Sequence, residues 1–189
     1  MAELNEFLPD IRKQISGPLN LMMTEASLRA AMTFCRESLA CRRTVMFSPV
    51  VAGVSYPLLS EDENVRCTRI IRIVTPEQQE LFVGPDLSVS ADDCLRFNEN
   101  HSTISVLIAV TPLESATTVP DELLRYQEVI ADGALELLFM QDKKPWYDPQ
   151  RAQYFREKFV DGFRRAYRDA LNTSPYSPFR NPVRRQGFF

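Results

Sequence analysis

Apolar residues recur at helical spacing first in residues 24–40. Leu28, Ala31, Met32, Cys35 and Leu39 fall at i, i+3, i+4, i+7 and i+11, the signature of one buried helix face. Thr24 stands where a capping hydroxyl is expected. Ahead of it, Pro9, Gly17 and Pro18 break any long element, and a short helix from Pro9 to Ser16 is the most that residues 1–23 suggest.

The helical period disappears after Cys41. Short β-branched and aromatic runs follow, separated by Pro, Gly and Asn: Val45-Met46-Phe47, Val54 to Leu58, Arg69 to Val74, Glu80 to Val83 and Asp93 to Phe97. The segment Thr103 to Thr111 alternates best, with Ile104, Val106, Ile108 and Val110 on one face. Such runs predict a small, mostly antiparallel β block over 43–115.

Helical spacing returns at Pro120 and runs to about Gln141. Leu123, Tyr126, Ile130, Gly133, Leu137 and Met140 form one stripe, widened by Leu124, Ala131, Leu135, Leu138 and Phe139. A second long helix opens at Asp148-Pro149, a cap followed by a first-turn proline, and carries Ala152, Phe155, Phe159, Gly162/Phe163, Ala166 and Ala170 on one face to Asn172. The joining loop is short, so an antiparallel hairpin over 120–171 is expected. Gly133 and Gly162 each cost about 1 kcal/mol inside a helix, which a close helix–helix approach would justify. Trp146, the single tryptophan, is expected to plug the open end of the hairpin with its N–H on a carbonyl. The resulting expectation is an α+β fold: a helical core from 1–42 and 116–172, a β insertion at 43–115, and an extended arm at 173–189.

Composition narrows the function. The chain has 189 residues, 44% of them apolar, enough for one real core. A net charge of −3 counts against a general nucleic-acid binder. No apolar run is long enough for a membrane helix, and residues 19–23 lack the basic lead-in of a signal peptide. The four cysteines, at 35, 41, 67 and 94, have no C-x-x-C spacing, and His101 is the only histidine. The expectation is plain thiols, no metal site and no cofactor. No phosphate-binding loop, G-x-S-x-G or H-E-x-x-H motif is present. The acid clusters Glu61-Asp62-Glu63 and Asp92-Asp93, together with His101, are the only candidates for acid–base chemistry, and all lie at expected turns.

The C-terminal arm stands apart. Residues 172–189 carry Arg180, Arg184 and Arg185 and no acid or lysine, so this end is +3 while the rest of the chain is −6. Pro175, Pro178 and Pro182 forbid a helix and favour extended or polyproline geometry. Tyr176, Phe179, Phe188 and Phe189 are unusual in a solvated segment. Burying those rings does not offset the conformational entropy of ordering the whole arm: it needs backbone pairing with a partner, charged contacts from its arginines or many copies acting together, and an arm flexible in the monomer fits equally well.

Several of these residues carry a resemblance. Leu124-Arg125-Tyr126, Ala131-Asp132-Gly133-Ala134-Leu135, Lys144-Pro145-Trp146, Asp148-Pro149 and Phe155 to Gly162 resemble the C-terminal helices of tailed-phage head-to-tail connector (adaptor) proteins. A leading Leu8-Pro9, the Phe34-Cys35 helix and Ala52-Gly53-Val54 agree more loosely. Asp142-Lys143 departs from the Pro-Gly type of link expected in the turn. The resemblance implies a non-enzymatic structural protein of the virion, assembled in the bacterial host cytoplasm. It implies a closed ring of about twelve copies between the portal and a tail, nozzle or tail-tube protein, with DNA passing through the lumen. It also implies an arm that reaches the portal. Tyr176, Phe179, Arg180, Arg184, Arg185, Phe188 and Phe189 are then the portal-binding candidates, aromatics filling grooves and arginines pairing with carboxylates. Glu61, Asp62, Glu63, Asp92 and Asp93 are candidates for an acidic lumen wall. The alternatives are a tail-completion or terminator protein that binds the tail tube, and a soluble enzyme or ligand-binding domain working through Asp92, Asp93 or His101.

Overall fold

A computed structural model describes residues 1–60, 64–90 and 93–172. The elements run, in order, β1 (Ala2–Glu3), a 3-10 turn (Leu4–Phe7), α1 (Leu8–Arg12), α2 (Asn20–Ser38), β2 (Arg42–Phe47), β3 (Ser55–Pro57), β4 (Val65–Val74), β5 (Leu87–Val89), β6 (Cys94–Phe97), β7 (Ile104–Pro112), β8 (Thr118–Val119), a second 3-10 segment (Asp121–Tyr126), α3 (Gln127–Phe139) and α4 (Pro149–Asn172). The fold is α+β, as its hydrophobic patterning indicates.

α2 is the central helix. Met23, Ala26, Ala30 and Phe34 are buried as well as the stripe at Leu28, Ala31, Met32 and Cys35, so it is covered on several sides. Two serines survive in that setting because each hydroxyl donates one turn back: Ser27 to the Met23 carbonyl at 2.8 Å and Ser38 to the Phe34 carbonyl at 2.7 Å. The helix begins at Asn20, four residues before the expected cap. Thr24 lies inside it, its hydroxyl spent on the Leu21 carbonyl at 2.9 Å. It ends on Leu39 in the left-handed region, φ 50°, a conformation unfavourable for leucine. The turn is held by Arg42 Nε donating to the Leu39 carbonyl at 3.0 Å and by the Ala40 N–H donating to Ser38 Oγ at 3.2 Å.

Among the described residues the strands form three small sheets, every ladder antiparallel: β2-β7-β4, β3-β6-β5 and β1-β8. β7 is the middle strand of the first, pairing Val45 with Val106 on one side and Ile73 with Val106 on the other. Ile104, Val106, Ile108 and Val110 are buried as the alternation requires, and so are Ala109 and Thr111 on the opposite face. Thr111 Oγ1 donates to the Met32 carbonyl of α2 at 3.3 Å, which ties the sheet to the central helix. One contiguous core links Phe7, Phe34, Ile108, Leu123 and Phe155.

Four local expectations change. Residues 9–16 hold only the short α1, preceded by a 3-10 turn. Glu80 to Val83 is not a strand; Glu80 and Val83 enter isolated bridges. The helix expected from Pro120 starts as a 3-10 segment, because Pro120 is still extended, ψ 137°, on leaving β8. Leu137 and Met140 are not in the buried stripe: they are 37% and 56% exposed, while Ala134, Leu135, Leu138 and Phe139 face inward. α2 and α4 both press on α3, and the line between them, not the best-matching stripe, sets its buried side.

Candidate functional site

The residues that carry the resemblance build the α3–α4 hairpin. At Gly133 a Cβ would lie 2.8 Å from the Phe159 ring of α4 and 3.0 Å from the Ala30 Cβ of α2. At Gly162 it would run into Val129 Cγ1 of α3 and lie 2.8 Å from Cγ2. Both glycines are therefore the closest-approach points anticipated from their helical positions. Phe139 and Phe155 stack at 5.7 Å with 7° between their planes. Charged contacts follow the same antiparallel register: Lys158 Nζ lies 3.3 Å from Asp132 and Arg156 Nε 3.9 Å from Glu136. Burial raises both carboxyl pKa values, and the cations opposite pull them part of the way back.

The turn is built by its own side chains. Asp148 Oδ1 accepts from the N–H groups of Gln150 and Arg151 at 3.1 and 3.0 Å, capping α4. Arg151 lays its guanidinium 4.4 Å above the Phe139 ring and donates to the Gln14 carbonyl at 2.9 Å. Lys143, where the family pattern differs, takes a left-handed φ of 63°. Trp146 packs on Gly17, where a Cβ would sit 2.9 Å from Cε3; φ there is +116°, so glycine is needed twice over. The expected carbonyl partner of the indole is not found: among the described residues Trp146 Nε1 is buried with no acceptor, and Gln141 Oε1 is buried with no donor. Trp146 is half-buried, against the N-terminal segment as well as the hairpin, and Tyr147 beside it is 45% exposed. Together with Ile15, Phe139 and Arg151 they line a cleft of ≈ 630 Å³.

The other candidates are scattered. Tyr176, Phe179, Arg180, Arg184, Arg185, Phe188 and Phe189 lie outside the described residues, as do Glu61, Asp62, Glu63 and Asp92. Asp93 is a turn residue at φ 53°, and its carbonyl accepts from Leu58 N at 3.1 Å. His101 exchanges backbone bonds with Val50 at 2.9 and 3.0 Å and sets its ring edgewise on Phe97 at 6.2 Å. No group of three metal-ligating side chains occurs among the described residues.

None of the four cysteines is in a disulfide. Cys35 and Cys41 are both buried, with sulfurs 3.6 Å apart, and the contact with Cys41, then burial, raises the Cys35 pKa well above the ordinary range. Burial pushes Cys67 up to about 11. Cys35 and Cys67 are protonated thiols at neutral pH, not nucleophiles. They also set an alkaline limit. The unfolded chain loses the Cys67 proton near pH ~8.5 while the folded one keeps it to about 11. Folding stability therefore falls as pH rises through that window. Urea midpoints taken at about pH 8 and about pH 10.5 should drop, and Cys67→Val should reduce the drop.

Sequence reasoning overlooked several exposed apolar side chains on separate elements. Phe82 and Val83 stand out from the loop before β5, with Phe82 59% exposed. Tyr154 on the outer face of α4 is 57% exposed, with Lys158 Nζ 5.6 Å from its ring. A Phe-Val pair ahead of Gly84-Pro85 was the available signal. No described helix is long and apolar enough to cross a membrane. No family model and no curated protein sequence matches the chain.

Proposed function

We propose that this chain is a structural protein of a tailed-phage virion: a head-to-tail adaptor that forms a ring between portal and tail and docks on the portal through residues 173–189. One observation carries the reading. The residues that resemble the adaptor family are those that build the α3–α4 hairpin: Gly133 and Gly162 sit where a Cβ would clash, Asp148 caps α4, and Trp146 packs on Gly17. The exposed Phe82, Val83 and Tyr154 supply large apolar contacts of the kind subunit interfaces use.

In this role the body is a rigid mount and the arm is the adhesive. The arginines at 180, 184 and 185 recognise carboxylates, and the rings at 176, 179, 188 and 189 fill grooves. The chain performs no covalent chemistry in this reading. Deleting residues 173–189 should leave the helical signal and thermal midpoint of the body unchanged while abolishing attachment to portal-containing heads. A truncated protein that joins heads as well as the full chain overturns the assignment.

A further inference from the structure

We infer that the cleft at Trp146 and Tyr147 receives the first half of the arm, residues 173–179, from a second copy of this chain. The inference reaches past the portal reading, because it needs no portal, only a neighbour.

The segment itself suggests the fit. It reads Thr-Ser-Pro-Tyr-Ser-Pro-Phe, two copies of Ser-Pro-aromatic at a spacing of three. Polyproline II has three residues per turn, so in that geometry Pro175 and Pro178 share one face, Tyr176 and Phe179 the next, and the serines the third. Such ribbons dock in aromatic-lined grooves, and their stiffness lowers the entropy lost on binding. The cleft offers the half-buried Trp146 between the exposed Pro145 and Tyr147, with Phe139 and Ile15 buried beneath them.

Charge agrees with the choice of segment. Residues 173–179 carry no charge, and the arginines begin at 180. The cleft's own charges are already engaged: Asp148 caps α4, and Arg151 is held by the Phe139 ring and the Gln14 carbonyl. A neutral apolar ribbon therefore suits it better than the arginine-bearing half. Trp146 Nε1 is buried with no acceptor among the described residues, a donor that a carbonyl of the ribbon would satisfy once the ribbon is seated.

Distance then selects the donor copy. The cleft lies at the start of α4 and the arm leaves at its end. Twenty-four residues of helix separate the two by about 35 Å. Phe179 is seven residues past Asn172, and even fully extended that is at most about 25 Å. Residues 173–179 cannot reach the cleft of their own chain. A site and its ligand at opposite ends of one subunit make a heterologous contact, which repeats from copy to copy and closes into a ring when the rotation allows. Within the adaptor reading this narrows the portal contacts to Arg180, Arg184, Arg185, Phe188 and Phe189, and gives Tyr176 and Phe179 to the neighbour instead.

Trp146 is the only tryptophan, so its emission reports on the cleft directly. The test uses full-length protein carrying Pro175→Ser, Tyr176→Ser, Pro178→Ser and Phe179→Ser, which keeps the cleft and loses the ribbon. Titration with a synthetic peptide of residues 172–180 should shift the emission saturably. A scrambled peptide should not, and Tyr147→Ala should weaken binding about tenfold. Raising wild-type protein through the peptide's dissociation constant should produce the same shift. No shift with millimolar peptide overturns the inference, as does equal binding of the scrambled peptide. A shift already complete in dilute wild-type protein overturns the assignment to a second copy. Tyr147→Ala keeps the whole of residues 173–189, so its docking on portal-containing heads reports separately on the adaptor reading.

Discussion

Gly133→Val should destabilise the protein by about 3 kcal/mol, the upper end of the usual cost of overpacking. The new Cβ alone would lie 2.8 and 2.9 Å from two ring carbons of Phe159 and 3.0 Å from the Cβ of Ala30. Neither neighbour can withdraw easily. Phe159 is buried on α4, and Ala30 presents the first atom of a side chain anchored to the central helix. The gain in helix propensity on leaving glycine, at most about 1 kcal/mol, does not compensate. Gly133→Ala should show a smaller loss of the same sign. Urea titration measures both through the midpoint, with the slope unchanged. The cycle with Phe159→Leu adds a second check: the double variant should be more stable than the sum of the singles, since the smaller side chain makes room. A stabilised Gly133→Ala protein would mean that the helices stand farther apart than described.

Phe34→Ala should cost about 3–5 kcal/mol, the range for emptying a buried phenylalanine site. The ring is fully buried on α2 and meets Tyr126 at 4.8 Å and 43°. Helices pack around it, so its surroundings cannot collapse far into the space. That loss is a large share of the roughly 5–15 kcal/mol by which a domain is stable. It should lower the thermal midpoint by roughly 6–20 °C. Leu21→Ala is the matched control: its side chain is 69% exposed, and the change should stay within about 0.5 kcal/mol. A Phe34→Ala protein that melts with the wild type would remove α2 from the centre of the fold.

Both predictions depend on how three helices meet, and that is where sequence reading succeeded unevenly. The face of β7 and the stripe of α4 were legible, because a period of two or of 3.6 residues is imposed by the local backbone. The two interior glycines were legible for a related reason: a residue that weakens a helix persists where something else requires it. The onset of α2 was not. Thr24 has the chemistry of a cap, but Asn20 to Met23 continue the helix, with Met23 buried in the core. Of the candidate site, the turn Lys144-Pro145-Trp146 was visible as a motif. Its contact with Gly17, over a hundred residues away in the chain, was not.

The chain's own periodicity and punctuation thus established most of its helices and strands, and that residues 173–189 differ in charge from the rest. These follow from short-range sterics and from residue chemistry, which every segment carries with it. Tertiary packing decided the rest: that Leu137 and Met140 face outward, that Pro120 leads into a 3-10 segment, that β1 pairs with β8, and that the indole of Trp146 lacks an acceptor. Each of those outcomes is set by what lies across the contact. A neighbour brought in from a distant part of the chain leaves no mark on the local pattern.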